Sequence, residues 1–418
     1  MTPPQRPAPA RRPPRMGTGS ARGGARPVAL TARRVALEAL LEIEGGGRAN
    51  VVVPRLLEHT GLDERDRGLV TELVYGTCRM RRACDWLVDR HLRGHTDPEV
   101  RAGLRLGAYQ LAHLRTPPHA AVSATVEEVR GPGRGVVNAV LRKVAGDVGG
   151  GDLRWPDPAT ELSYPDWIVA RLARDLGPAA AREALVVMNT APSVTRRSDG
   201  YTQDQASQWV AAAVGAQAGE LVVDLCAAPG GKATAMAYGA ADPIPAQGGA
   251  QQGGPALVVA ADRATDRARI VAGNVAGLGL ENVVTVVADG TAPPLRPAIS
   301  DRVLVDAPCS GLGVLRRRPD ARWRVRATDV DRLALLQRQL LEAAADLVRP
   351  GGTVAYSVCT LTVVETAAID RWAASALPWL APLPPPGPPW TPAGRGALLL
   401  PQAAGTDGMY LLLLRRTA

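Results

Sequence analysis

The chain has 418 residues, with 49 Lys and Arg against 40 Asp and Glu, a net charge of +9 and 46% apolar residues. That length suits two or three domains with ordinary cores, and its apolar runs are far too short to span a bilayer, which excludes a membrane-spanning chain. Five cysteines without a CxxC pair exclude a disulfide framework and a structural zinc site, so no metal is expected.

A Pro- and Arg-rich start without an apolar stretch is not a secretory leader, so a reducing, cytoplasmic setting is expected. The basic balance favours a polyanionic partner. Residues 1–27 hold six arginines and no acid. Such a stretch buries too little surface to fold and reads as a disordered basic arm.

Residues 28–146 read as an all-α bundle. Val35, Leu37, Leu40, Leu41 and Ile43 form an apolar stripe that stops at Gly45-Gly46-Gly47. Leu69, Leu73 and Val74 recur at helical spacing, and Trp86 and Leu87 follow. A helix through Leu104, Leu106, Tyr109 and Leu111 ends before Pro117-Pro118, and two more are expected over 121–129 and 136–144. Residues 147–200 read as a linker and helical lead-in, with helices over 167–176 and 179–188.

From Glu220 the pattern becomes α/β. Apolar runs at 221–225, 257–261, 283–287, 303–305 and 353–356 alternate with helical segments, and a last strand is expected at 409–414. Alternating strands and helices predict a doubly wound parallel sheet, with ligands at the carboxyl ends of its strands. Residues 240–255, rich in Gln, Gly, Pro and Ala, read as a surface insertion.

Chemistry gathers at those strand ends. DLCAAPGGK at 224–232 is a small-residue turn between strand and helix, neither a GxGxxG nor a Walker loop. Asp262 ends the second strand, where a carboxylate can accept two ribose hydroxyls. Asp289 ends the third, and Asp306 the fourth. Each alone is an ordinary helix or turn cap; in succession they point to a nucleoside ligand. Cys309 follows the fourth strand in DAPCSGLG and Cys359 follows the fifth. A lone cysteine is usually a buried small hydrophobe, whereas two at the ligand edge beside an acid point to thiol chemistry. Cys78, Cys84 and Cys226 read as structural.

With these motifs the chain resembles the RsmB/Sun family of bacterial rRNA cytosine-C5 methyltransferases. DLCAAPGGK, DAPCSGLGVLRRRPD with Trp323, Asp407-Gly408 and the QDxAS-like Gln203–Ser207 carry the likeness, and the helical part is similar to NusB. The resemblance implies a Rossmann-like methyltransferase domain over 201–418 after a NusB-like RNA-binding domain over 28–146. It implies S-adenosylmethionine held by Cys226, Ala227, Ala228, Pro229, Gly230, Gly231, Lys232, Asp262, Asp289 and Asp306. It implies Cys359 as the nucleophile that bonds cytosine C6, Cys309 as the cysteine that helps release product, and Asp306 near the cytosine edge. The partner implied is small-subunit rRNA outside a mature ribosome. Arg316, Arg317 and Arg318 are expected to hold phosphates around the target base.

Three departures stand out. Val358 replaces the family's usual Thr, and Met409-Tyr410 its usual aromatic pair. Only about five residues separate Arg197 from Gln203, where the family has a small RNA-binding subdomain of several dozen. A non-catalytic RNA-binding assembly factor and a tRNA cytosine-C5 methyltransferase are the competing readings.

Overall fold

The computed structural model describes residues 30–114, 116–151, 153–239 and 256–417. The basic arm expected over 1–27 and the insertion expected over 240–255 lie outside them.

The N-terminal part is helical throughout: Ala32–Glu44, Ala49–Glu58, Glu64–Arg79, Arg81–Asp89, Pro98–His113, Pro118–Glu128 and Gly133–Gly149. Several starts follow from local chemistry, because an oxygen at the N-cap takes an otherwise orphaned N–H. Thr31 accepts from Arg34 N at 3.0 Å, Asp63 from Asp66 N and Asp97 from Glu99 N, both at 2.8 Å. The apolar stripes of these helices close one core around Leu37, Leu73, Leu104, Leu106 and Leu141, all fully buried. Helix Ala49–Glu58, with Pro54 inside it, was not expected, and the last helix runs past residue 146 to Gly149.

Helices Asp166–Leu176 and Pro178–Val187 pack through Ile168, Leu172 and Leu185 onto Leu312, Leu315 and Leu361. They thus support the stretches that follow Cys309 and Cys359.

The C-terminal part holds a nine-stranded sheet. Its strands are β1 (Leu221–Asp224), β2 (Leu257–Asp262), β3 (Val283–Val287), β4 (Ser300–Asp306), β5 (Val348–Val358), β6 (Leu380–Pro382), β7 (Thr391–Ala393), β8 (Gly396–Leu399) and β9 (Met409–Arg416). The order is β3-β2-β1-β4-β5-β9-β8-β7, with β6 also on β9. β1 to β5 are parallel, as expected. The expectation of a parallel sheet throughout is corrected beyond β5, where β9 runs antiparallel to both β5 and β8. Both faces of β9 are buried, so its apolar run carries no alternation to reveal direction. Apolar layers lie on the two faces of the sheet, one around Val222, Val258 and Leu304, the other around Val223, Val303 and Val305.

The helical bundle docks directly on the segment after Cys309. Trp323 Nε1 donates to Cys78 O at 2.7 Å, and Arg79 donates to Arg316 O at 3.2 Å. Arg322, fully buried, donates to Arg79 O and Ser163 O, both at 3.1 Å, and to Asn189 Oδ1 at 2.9 Å. Among the described residues no helix is long and apolar enough to cross a membrane.

Candidate active site

β1 delivers the chain into the DLCAAPGGK turn. Asp224 is fully buried, and its Oδ1 accepts from Cys226 N at 3.2 Å while Oδ2 has no partner among the described residues. Burial, then the Asp306 charge, push its carboxyl up to about 7. The turn passes through a cis Ala228–Pro229 bond into Gly230 at φ +105°. A side chain there would be strained and would meet Val271 at 3.2 Å, so glycine is required. Helix Gly231–Tyr238 then begins with no side-chain cap at its N-terminus.

The short join after Arg197 braces this turn. Arg196 and Thr202 form a β-bridge, and Arg197 N donates to Tyr201 O at 2.9 Å. The buried Arg197 guanidinium donates to Gly231 O at 2.5 Å, Gln203 Oε1 at 3.0 Å and Thr234 Oγ1 at 3.0 Å. Asn274 Nδ2 donates to Pro229 O at 2.8 Å. Arg197 and Asn274 were missed by the sequence reading, since nothing in a single sequence marks an arginine as a clamp.

The strand-end acids sit as expected on the same edge. Asp262 Oδ2 accepts from Ala228 N at 3.3 Å and lies 3.2 Å from Arg267. Asp289 is exposed and accepts from Thr291 N at 3.0 Å and Thr291 Oγ1 at 2.8 Å, contacts that hold its pKa below the ordinary value. Asp306 Oδ2 lies 2.7 Å from Lys232 Nζ, joining the first turn to the fourth strand. Burial works against the Lys232 ammonium, but the Asp306 carboxylate outweighs it and its pKa is raised.

β4 and β5 bring the two cysteine stretches together, with Asp306 in register beside Ser357. Cys309 Sγ lies 3.3 Å from Cys359 Sγ. Gly313 locks the pair of stretches to the C-terminal Asp-Gly: its N donates to Cys359 O at 3.0 Å, and its O accepts from Gly408 N at 2.8 Å. The surroundings of the two sulfurs differ. The Cys309 contact lowers the Cys359 thiol pKa against burial and the Asp306 charge, and Arg318 and Lys232 lower it further. Cys309 is pushed well above its ordinary range by the Cys359 contact, burial and the Glu365 carboxylate.

Glu365 was also missed. It is fully buried, and it accepts from Ser310 N at 2.7 Å and Ser310 Oγ at 2.5 Å, beside Cys309. Its one sequence signal is an acid inside the apolar stretch that follows Cys359. The three arginines divide. Arg316 is buried and donates to Thr406 O at 3.4 Å and Ala191 O at 3.2 Å, as well as to Gly405 O. Arg317 Nε donates to Asp407 Oδ2 at 2.6 Å. Arg318 alone is exposed. The phosphate contact expected of all three is therefore corrected for Arg316, whose guanidinium faces backbone carbonyls inside the protein.

The donor set fits S-adenosylmethionine. A glycine-bearing turn at a helix start, an orphaned buried carboxylate oxygen on Asp224, and carboxylates at successive strand ends suit a cationic nucleoside ligand.

A family model described as 16S rRNA methyltransferase RsmB/F matches residues 211–415, and one described as NusB family matches residues 30–146. The Ribosomal RNA small subunit methyltransferase B of Thermus thermophilus is 35% identical over 416 residues, covering 92% of this chain and 98% of that one. Rv1407 of Mycobacterium tuberculosis, named only as a methyltransferase, is 35% identical over 474 positions, covering 96% of this chain and 99% of that one. This chain has 418 residues, so at least 56 of those positions are gaps in it. The crystal structure of PH0851 superposes with a TM-score of 0.73 at 21% identity, covering 92% of this chain and 98% of that one, which is a likeness of fold.

Proposed function

The chain belongs to the RsmB/F family of S-adenosylmethionine-dependent 16S rRNA methyltransferases, and from that premise we propose that it methylates C5 of one cytosine in small-subunit rRNA through a covalent bond between Cys359 and C6. The observation that carries this reading is the contact of Cys309 with Cys359 at 3.3 Å, beside the Lys232–Asp306 pair.

Cytosine C5 is a poor nucleophile until a thiolate adds to C6. Cys359, whose thiol pKa is lowered, is the sulfur that adds. Its attack pushes an electron pair toward N3 and C5, and Asp306, at the end of β4, is the acid that steadies the N3 edge. S-adenosylmethionine, when bound by residues 226–232 with Asp262, Asp289 and Asp306, supplies the electrophilic methyl group that C5 takes. The C5 proton must then leave. Cys309 lies within reach of the same centre; once its own proton has passed to solvent, its thiolate takes the C5 proton, which reforms the C5–C6 double bond and expels Cys359 as thiolate.

Residues 28–146 hold the flanking RNA and residues 201–418 carry out the transfer. The substrate is free or partly assembled small-subunit rRNA, because a base inside a stacked helix must be extruded before it reaches the sulfurs. The short join at Arg197–Gln203 forms a closed turn against the DLCAAPGGK helix, which supports a natural loss of the small subdomain that leaves the cofactor turn supported. The intact cysteine pair disfavours a non-catalytic assembly factor.

The test is transfer of label from S-adenosylmethionine to unmodified small-subunit rRNA, with unmodified tRNA and the Cys359→Ala variant as controls. Label recovered as 5-methylcytosine in rRNA, absent with Cys359→Ala, supports the proposal. Transfer undiminished in that variant, or confined to tRNA, overturns it.

A further inference from the structure

We propose that Glu365 is a positioning residue: its buried carboxylate ties the stretch bearing Cys309 to the stretch bearing Cys359 and so fixes the contact between the two sulfurs. The inference rests on the reading that these two cysteines are the reacting pair.

Glu365 ends the single 3-10 turn Val363–Glu365 that follows β5 and is fully buried. Oε1 accepts from Ser310 N at 2.7 Å and Gln337 Nε2 at 3.1 Å. Oε2 accepts from Ser310 Oγ at 2.5 Å, Thr360 Oγ1 at 3.0 Å and Thr362 Oγ1 at 2.9 Å. Ser310 is the neighbour of Cys309, and Thr360 the neighbour of Cys359. Their hydroxyl oxygens are 2.8 Å apart. Gln337, on helix Ala327–Leu347, also donates to Pro308 O at 2.9 Å. One carboxylate thus gathers the ends of β4 and β5 and the helix between them.

The donors are hydroxyls, an amide and a backbone N–H, all neutral. A buried carboxylate held only by neutral donors is an expensive way to stabilise a fold, since apolar packing does as well or better. What the carboxylate does offer is acceptor capacity for several donors converging from two chain segments, which no neutral side chain matches. Its charge also adds to the raising of the Cys309 thiol beside Cys359. A proton transfer at Cys309 needs the sulfur within hydrogen-bond reach, and small misplacements of reacting groups are costly.

The experiment uses the full chain, rRNA and S-adenosylmethionine in steady-state methyl transfer. Glu365→Gln keeps the shape but removes the charge and one acceptor oxygen, so the hydroxyls of Ser310, Thr360 and Thr362 must turn to accept from the N–H2 and the grip on the two stretches loosens. The expected result is a kcat lower by about tenfold or more with both KM values within about twofold. A kcat within about twofold of wild type in the folded variant overturns the proposal, as does a loss in which KM and kcat move together. Ser310→Ala and Thr360→Val extend the test should Glu365→Gln fail to fold. Their effects on kcat are expected to be non-additive in the wild-type background, and additive effects overturn the proposal. Cys359→Ala is assayed in parallel. Undiminished transfer there sinks the cysteine reading itself, whereas an inactive Cys359→Ala beside an unaffected Glu365→Gln sinks only the positioning role.

Discussion

Cys309 and Cys359 are fifty residues apart in the chain and 3.3 Å apart at sulfur, yet they do not share one character. Cys359 is lowered by the Cys309 contact and faces Arg318 and Lys232; Cys309 is raised and faces Glu365. A thiol reacts as its thiolate, whose fraction grows as pH rises through the pKa. Iodoacetamide should therefore label Cys359 at lower pH than Cys309, read by peptide mass spectrometry. Cys309→Ala removes the largest lowering influence, so labelling of Cys359 should move to higher pH. Cys309 labelling first would reverse the assignment of nucleophile and partner.

Asp224 offers a pH signature of a different kind. Its carboxyl is raised from 3.8 to about 7, by burial and then by Asp306. A raised acid binds more protons folded than unfolded, so its contribution is present below the unfolded pKa and is lost as pH rises through the folded one. Wild-type stability should thus fall between about pH 4 and pH 7, by about 4 kcal/mol from this group. Asp224→Asn lacks that charge while keeping an acceptor for Cys226 N. Its thermal midpoint should match wild type near pH 4 and exceed it at pH 8. A constant difference across that range would place the orphaned oxygen on a partner in solution.

How much of this could be read beforehand depends on whether the cause is local. β1 to β3 are apolar runs closed by an Asp or a Gly-rich turn, and their strand-end residues were placed correctly by that pattern. Cys309 and Cys359 follow strands that the same pattern fixes. β5 is longer than expected, because it runs from Val348 through Pro350-Gly351-Gly352 with a register shift against β4. β7 and β8 are short and pair with each other through a tight turn, so no periodicity announces them. The antiparallel direction of β9 depends on where β5 and β8 lie, not on its own residues. Arg197 looks like an ordinary surface charge in the sequence and Glu365 differs only by its apolar neighbours, and only tertiary packing turns them inward. Arg316, Arg317 and Arg318 are alike as letters and differ because the chain coils back on Asp407 and on the carbonyls of Gly405 and Thr406.

Gly313 is where three motifs meet. A Cβ there would lie 2.2 Å from Gly408 O and 3.0 Å from Cys359 O, and backbone cannot yield as a flexible side chain does. Gly313→Ala should destabilise by about 1–3 kcal/mol through this overpacking, and should depress methyl transfer even well below its melting midpoint. Gly68 provides the control: it lies inside helix Glu64–Arg79 with nothing within 4 Å of its Cβ position. Gly68→Ala should raise stability by about 0.5–1 kcal/mol and leave transfer unchanged. Equal behaviour of the two variants would remove the steric argument.

Arg318 and Arg316 separate RNA contact from scaffolding. Arg318 is exposed, and its charge reaches Cys359; we propose that it holds a phosphate beside the target base. Each phosphate neutralised releases counterions, which makes affinity depend on salt. Arg318→Ala should weaken rRNA binding and reduce the slope of log affinity against log salt by about one, with thermal stability unchanged. Arg316 is buried against the carbonyls of Ala191, Gly405 and Thr406. Arg316→Ala leaves those acceptors unpaired and should lower the melting midpoint, at a cost of about 1–3 kcal/mol, while the salt slope stays put. Filter binding across a salt series, with a melting curve for each variant, decides the matter: a slope that changes with Arg316 and not with Arg318 would move the phosphate contact to the other arginine.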